Sequence, residues 1–332
     1  MRKLVLGFLV MTCMITGLKA QQDPQYTMFW FNKMLFNPAY AGAKGGLCGT
    51  ILGRFQWNGL QGAPKTWLIT ADMPFNLTRD GANELGVGLT TYGDYIGFQE
   101  EHALKVAVAY RRKNLGPGHL AVGVDLGFSN KNLVAPNWIT PNGLGPGSDP
   151  GIPMAGAPSN FAFDLSAGVY YHADNFYAGV SVLHLTGSDF VDLNVRQARH
   201  MYFTGGYTFR NLGGSSWSLN PNALIRTDLA TANFDINLNA LYDFNGSHGI
   251  FFGATYRYID AIGINVGYNG TFNNGKMGML FGYNYDINTS RLNSFNSGSH
   301  EIILRFCFKF EKDVSIYRRY VVRYGDAMIN KY

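Results

Sequence analysis

Apolar and polar residues alternate with a period of two along almost the whole chain, and the pattern is clearest near its C-terminal end. In residues 300–310 one face carries Ile302, Leu304, Phe306, Phe308 and Phe310. The opposite face carries Glu301, Ile303, Arg305, Cys307 and Lys309. This period predicts an extended strand with one apolar and one polar face. About fourteen such segments follow one another, each long enough to cross a bilayer as a tilted strand.

In a membrane, strands must close into a barrel, because an open edge leaves backbone N–H and C=O groups unpaired in hydrocarbon. We therefore predict an all-β fold, a transmembrane antiparallel outer-membrane β-barrel of about fourteen strands, or twelve if weak segments merge. The predicted strands are residues 47–57, 65–73, 84–92, 102–111, 120–129, 161–171, 176–185, 197–209, 217–226, 233–243, 250–258, 261–268, 276–286 and 300–310.

The charged residues of these strands support this interpretation because they fall on the face that carries small or polar side chains. A Lys or Arg on the lipid face at the bilayer midplane would cost about 2–4 kcal/mol. The residues predicted to face the lumen are Arg54, Lys105, Asp125, Asp164, Asp235, Asp286, Glu301, Arg305 and Lys309.

The composition agrees with a lipid-facing wall. Charged residues make up 15% of the chain, whereas a soluble domain usually carries about a quarter. Aromatic residues also make up 15%, as expected for the interfaces of a membrane barrel. Without the three basic residues of the leader, 24 basic residues stand against 22 acidic ones. The resulting net charge of +2 does not indicate a nucleic-acid partner.

Four segments are predicted. Residues 1–20 form a secretory signal peptide, since Arg2 and Lys3 precede a short apolar run; a lipoprotein signal at Cys13 is the less favoured alternative. A lead-in segment rich in aromatic residues follows (residues 21–45). The barrel spans residues 46–310, and residues 311–332 form a C-terminal tail.

The connections between predicted strands alternate in length, as they do in outer-membrane barrels. Short turns rich in Gly and Asn alternate with longer loops at residues 131–160, 186–196 and 287–297. This alternation favours an even number of strands, with both termini in the periplasm and the long loops outside. The loop at 131–160 is either a lid or a contact surface.

The lead-in segment is predicted to begin as a helix. Asp23 can cap it, Pro24 suits its first position, and Asn37-Pro38 ends it. Its aromatic face would lie in the barrel mouth or at the membrane interface; the alternative is a plug or a partner-docking segment. The tail has a spacing typical of a short amphipathic helix, and is either an interfacial or disordered end or a periplasmic docking element.

Several stretches resemble the PorP/SprF family of Bacteroidota, outer-membrane proteins associated with type IX secretion and gliding motility. They are Asp23-Pro24-Gln25, Phe31-Asn32-Lys33, residues 37–42, Arg54-Phe55-Gln56-Trp57-Asn58-Gly59, Gly62-Ala63-Pro64-Lys65-Thr66 and residues 298–302. The resemblance implies a non-enzymatic envelope component that docks or anchors partner proteins. It further implies protein partners, namely periplasmic or lipoprotein components and a surface adhesin. The barrel itself would contact outer-membrane lipids. The rival interpretation is a passive or substrate-specific channel for small solutes.

The candidate docking residues come from the two segments that alternation does not explain. They are Trp30, Phe31, Asn37, Pro38 and Tyr40 in the lead-in segment, and Tyr317, Arg318, Arg319 and Arg323 in the tail.

No motif of a nucleotide-binding, metalloprotease or hydrolase site occurs in its required context, so we predict neither an enzyme nor a cofactor or metal site. An outer-membrane hydrolase remains the minor alternative. His102 and His184 lie near strand ends and are interpreted as interface residues rather than ligands. Glycine pairs such as Gly86 and Gly88 are interpreted as features of a tightly curved wall.

Two cysteines, Cys48 and Cys307, follow the leader. Closing the barrel pairs the first predicted strand with the last, and places both cysteines near the periplasmic end on the lumen face. A disulfide across this closure is one hypothesis, because disulfides persist outside the cytoplasm. Two buried thiols acting as small hydrophobic side chains are the alternative.

Overall fold

Fourteen antiparallel strands form a closed barrel in the computed structural model, which describes residues 23–133, 160–190 and 195–310. Each wall strand pairs with its neighbours, and β1 closes the wall against β16. β8 and β9, of two residues each, pair in a small antiparallel sheet that is separate from the barrel. The strands are β1 (Leu47–Phe55), β2 (Lys65–Asn76), β3 (Asn83–Ile96), β4 (Gln99–Leu115), β5 (Gly118–Leu133), β6 (Asn160–Ala173), β7 (Phe176–Leu183), β8 (Asp189–Phe190), β9 (Val195–Arg196), β10 (His200–Tyr207), β11 (Trp217–Thr227), β12 (Ala232–Asp243), β13 (His248–Arg257), β14 (Ala261–Phe272), β15 (Met277–Asn288) and β16 (Ser299–Phe308).

The predicted strand number of fourteen is confirmed, and every predicted strand overlaps one wall strand. Several observed strands are longer than predicted. β4, for example, continues through Glu100 and Arg112 at its two ends. These extensions carry polar residues, so apolar alternation gives no signal for them.

The two faces of the wall differ as alternation predicts. On β5, Val122, Val124 and Leu126 are about half exposed, as lipid-facing side chains are in an isolated chain, whereas Ala121 and Asp125 are buried. Eight of the nine charged residues predicted to face the lumen are buried. The exception is Lys309, which is exposed because β16 ends one residue before it.

The two ends of the barrel carry different connections. The end at which β1 begins and β16 finishes has turns such as residues 116–117 and 174–175. We call it the turn end. The opposite end carries the three longest connections, at residues 134–159, 184–199 and 289–298, together with shorter ones such as 56–64 and 97–98. We call it the loop end.

The predicted helix of the lead-in segment is mostly wrong. Only α1 (Lys33–Phe36) is α-helical, and a 3-10 turn (Pro38–Tyr40) follows it. Before α1, the backbone N–H groups of Thr27 and Met28 donate to the Glu301 carboxylate of the wall. Because the wall supplies these partners, the segment can satisfy its backbone without a helix.

None of the helices in the described ranges is long and apolar enough to cross a membrane. The predicted signal peptide, most of the 131–160 loop and the tail lie outside the described residues.

Candidate functional site: a lumen filled by the lead-in segment

The lead-in segment runs through the lumen from the loop end to the turn end. Asp23 lies beside His184 and His200, which adjoin the loop end of β7 and β10. Gly42 then contacts Asp72 near the turn end of β2, and β1 begins at Leu47. The first described residue and the end of the last strand are therefore at opposite ends of the barrel. The two termini themselves lie outside the described residues, so the prediction that both are periplasmic stays a prediction.

Near the loop end, a buried cluster of charges holds the start of the segment. Arg54 lies 2.7 Å from Asp286 and 2.8 Å from Glu301, and all three are almost completely buried. The Thr27 hydroxyl accepts a hydrogen bond from Arg54 and donates one to Asp286, each at 2.7 Å. Arg257 also donates to the Thr27 hydroxyl, at 3.1 Å. The wall charges thus pair with each other and with the lead-in backbone rather than facing an empty pore.

In the middle of the lumen, α1 and the residue after it contact β6 and β7. The Asn37 amide donates to the Val169 carbonyl oxygen at 2.9 Å, and the Ser181 hydroxyl donates to the Phe36 carbonyl oxygen. The Lys33 ammonium lies 3.2 Å from the centre of the Tyr177 ring, a cation–π contact. Burial lowers the pKa of Lys33 well below its ordinary value.

Near the turn end, backbone groups of the segment bind wall side chains. Arg111 donates to the Ala41 carbonyl oxygen at 2.8 Å, and the Gly42 N–H donates to Asp72 at 2.8 Å. The Tyr40 ring meets the Tyr170 ring edge to face, with 5.4 Å between the centres. Burial raises the pKa of Tyr40 to about 12.

Wall glycines make room for the segment. A Cβ atom at Gly123 would lie 2.6 Å from the Ala39 Cα, and one at Gly86 would lie 2.0 Å from the Ala41 carbonyl oxygen. A Cβ atom at Gly88 would lie 2.4 Å from the Met34 sulfur. These glycines therefore allow close approach of the lead-in segment, a role that the prediction of a curved wall did not include.

The lead-in residues predicted to dock partners contact the wall, and their docking of a partner stays a prediction. Trp30, Asn37, Pro38 and Tyr40 are buried, and Phe31 is half-buried against the ring of Phe251. The aromatic face packs inside the lumen, which agrees with the alternative prediction of a plug and not with a position at the mouth or the membrane interface. Tyr317, Arg318, Arg319 and Arg323 lie outside the described residues.

The start of the segment is held by a second cluster, which we call the Asp23 cluster (Asp23, His184 and His200). The Asp23 carboxylate lies 3.0 Å from His184 Nε2 and accepts a hydrogen bond from the Tyr202 hydroxyl at 3.0 Å. Burial lowers the pKa of His184, but Asp23 and Asp164 outweigh it and raise the pKa to about 9. Sequence reasoning missed this cluster because it assigned Asp23 to a helix cap.

A cavity of about 360 Å³ lies at the loop end, beside the start of the lead-in segment. We call it the vestibule. Asp23, Pro24 and Gln25 line one side, and the other lining residues include Trp57 and Tyr258. The lead-in segment therefore separates this cavity from the turn end.

Cys48 and Cys307 lie directly opposite each other where β1 meets β16, and the structure joins their sulfurs in a disulfide of 2.07 Å. The bond links the first wall strand to the last one.

Residues 18–306 match the model of a family described as type IX secretion system membrane protein PorP/SprF. The chain belongs to this family. The resemblance found in the sequence is thereby confirmed, and with it an outer-membrane barrel of the type IX secretion system. A search of curated proteins found no match.

Solved structures with a similar fold are bacterial membrane barrels. The CymD monoaromatic hydrocarbon channel is 9% identical, with a TM-score of 0.54 over 85% of this chain and 93% of that one. The Ralstonia pickettii toluene transporter TbuX is 11% identical, with a TM-score of 0.53 over 83% and 93%. The P. putida toluene transporter TodX is 10% identical, with a TM-score of 0.51 over 85% and 94%. At these identities the likeness shows the fold alone.

Proposed function

We propose that the protein docks or anchors partner proteins of the type IX secretion and gliding machinery at the outer membrane, without catalysing a reaction. The observation that carries this proposal is the lead-in segment, which occupies the lumen and is bound to the wall near both ends and in the middle. A barrel filled in this way is suited to presenting surfaces rather than to conducting solutes. Membership of the secretion family supports the same conclusion.

The turn end is proposed to face the periplasm, because outer-membrane barrels keep their short turns there. The tail begins just after β16 and would therefore start in the periplasm. Its Tyr317, Arg318, Arg319 and Arg323 are the proposed contacts for periplasmic or lipoprotein partners, since the lead-in candidates are buried. A surface adhesin and outer-membrane lipids complete the proposed set of partners.

Affinity purification from native outer membranes tests this proposal. The intact chain should capture periplasmic or lipoprotein components of the secretion system, identified by mass spectrometry. A variant with Arg318, Arg319 and Arg323 changed to Ala should lose them. The matched control changes Arg112 and Arg210, which are exposed near the turn end, to Ala and should retain them. Capture that is unchanged by loss of the tail arginines would contradict docking through the tail.

The rival function is a channel for small solutes. The vestibule favours it, because a cavity at the loop end could admit a solute. The structural neighbours named as a hydrocarbon channel and toluene transporters share the fold with this chain. A channel function requires the lead-in segment to move out of the lumen so that a solute can pass. Ion conductance through the intact protein, with no co-purifying partner, would favour the channel.

A further inference from the structure

Three potential metal ligands converge in the Asp23 cluster from separate parts of the chain. Asp23 comes from the lead-in segment, His184 directly follows β7, and His200 begins β10. One ligand atom from each residue lies within 4.8 Å of the other two. Both histidines are at least nine-tenths buried. Two imidazoles and one carboxylate form a ligand set that divalent transition metals use in proteins.

The ion pair between Asp23 and His184 does not explain why His200 also lies in the cluster. The His200 Nδ1 atom is buried without a hydrogen-bond partner, and it lies 3.6 Å from the nearer Asp23 oxygen. A buried polar nitrogen left unpaired is costly and therefore rare. A cation between the three side chains would give this nitrogen a partner.

The surroundings of His184 resemble the outer shell of a metal site. His184 directs Nε2 to Asp23, while its Nδ1 lies 2.8 Å from Asp164. Asp164 in turn lies 2.5 Å from the Lys105 ammonium, and both are buried. A carboxylate on the far nitrogen orients a metal-bound histidine and raises its basicity.

The local charge also favours a divalent cation. The Lys105 ammonium interacts with three carboxylates, those of Asp23, Asp125 and Asp164. Metal binding displaces the proton of His184, and with both imidazoles neutral the ammonium and the three carboxylates carry a formal charge of −2. A divalent ion would neutralise this charge, which lies where water is largely excluded.

The Asp23 cluster has space for a further ligand and can be reached from the loop end. Asp23 and His200 line a cavity of about 20 Å³, enough for one water molecule as a further ligand. Several residues of its lining, including Asp23 and Arg226, also line the vestibule at the loop end. An ion can therefore reach the cluster without crossing the packed part of the lumen.

We propose that Asp23, His184 and His200 bind one divalent transition-metal ion of the Zn²⁺ type, which fastens the start of the lead-in segment to the wall. The inference departs from the sequence prediction that no metal site is present and that His184 is not a ligand. It does not depend on the proposed docking function, because in a channel closed by the same segment the same metal ion would fasten the segment to the wall.

Metal titration of the full-length barrel tests the proposal. The protein is purified in detergent without a polyhistidine tag, stripped with a chelator, and titrated with Co²⁺ and with Zn²⁺. We expect one Co²⁺ per chain, with the visible absorption of a protein-bound ion, displaced by Zn²⁺. His200→Ala and Asp23→Asn should each weaken Zn²⁺ binding by at least about 10-fold, since even outer-shell changes have effects of this size. His102→Ala, near the same end, is the matched control and should bind as the wild type does.

A second readout measures how firmly the lead-in segment is held to the wall. Zn²⁺ should slow proteolysis of the lead-in segment in the wild type and in His102→Ala but not in His200→Ala. Compact migration of unheated samples on SDS gels shows that each variant is folded. A wild-type barrel that binds no Zn²⁺ or Co²⁺, or a folded His200→Ala barrel that binds them equally well, would overturn the proposal.

Discussion

Individual residues of the lumen have two tasks, closing the wall and holding the lead-in segment. Arg54 shows both, because it pairs with Asp286 and Glu301 of the wall and with Thr27 of the segment. Its side chain is 1% exposed, so these interactions are not screened by water. Removing one member of such a group leaves the others as buried, uncompensated charges.

Replacing Arg54 with Gln is therefore expected to destabilise the barrel. The loss should be about 3–5 kcal/mol, the usual cost of breaking a buried ion pair from one side. Urea unfolding followed by tryptophan fluorescence in lipid vesicles measures it. Arg112→Gln is the control, since Arg112 is exposed and should change stability by less than about 0.5 kcal/mol. Equal stabilities of the two variants would contradict the structural role of Arg54.

A methyl group at Gly123 should disturb the lead-in segment. The added Cβ would lie 2.6 Å from backbone atoms of Ala39, which cannot move aside as a flexible side chain can. We expect a loss of about 1–3 kcal/mol, typical of overpacking, and faster proteolysis within residues 23–45. Gly53→Ala is the matched control, because a Cβ there meets no atom within 4 Å. Unchanged proteolysis of Gly123→Ala would argue against close packing at this point.

At the scale of elements, the wall strands were predictable from the sequence and the lead-in structure was not. Strands such as β5 repeat the same apolar and polar alternation, so each gives the same local signal. The lead-in segment has a helical spacing, but the wall changes its structure. Glu301, which binds the backbone of Thr27 and Met28, is 274 residues from Thr27 in the sequence. Local propensity cannot anticipate partners so distant, and the Asp23 cluster was missed for the same reason.

The link between β1 and β16 gives a prediction at this scale. Mass spectrometry under non-reducing conditions should find Cys48 and Cys307 joined, because the two residues are paired across the closure of the barrel. Changing both to Ser should lower stability by about 2–4 kcal/mol, as for other disulfides that close long loops. Two free thiols in protein purified from the outer membrane would contradict the bond.

Cysteine labelling tests the proposed orientation of the barrel in the outer membrane. Phe295, 70% exposed in a loop-end connection, and Leu212, at the turn end, are each changed to Cys. A membrane-impermeant maleimide should label Phe295→Cys in whole cells, and Leu212→Cys only after the outer membrane is opened. The wild type is the control, since its two described cysteines are bonded. The reverse pattern would place the turn end outside.

At the scale of the whole molecule, the wall and the lead-in segment form one packed unit. Apolar residues of the segment such as Tyr26 and Phe29 pack with wall residues such as Leu52 and Ile303, and buried charges of the wall bind the backbone of the segment. This arrangement agrees with a barrel that presents surfaces to partners. It also defines what a channel function would require, namely withdrawal of the segment from the lumen.

Ion conductance in planar lipid bilayers tests this central claim most directly. The wild type is compared with a variant in which Asn37 and Gly168 are both changed to Cys. A Cβ at Gly168 would lie 2.9 Å from the Asn37 Cγ, so cysteines at these two positions are close enough to form a disulfide that holds the segment in the lumen. The two single-cysteine variants are the controls. We predict no steady conductance from either the wild type or the locked variant. Steady conductance by the wild type that disappears in the locked variant would contradict the account and identify the barrel as a gated channel.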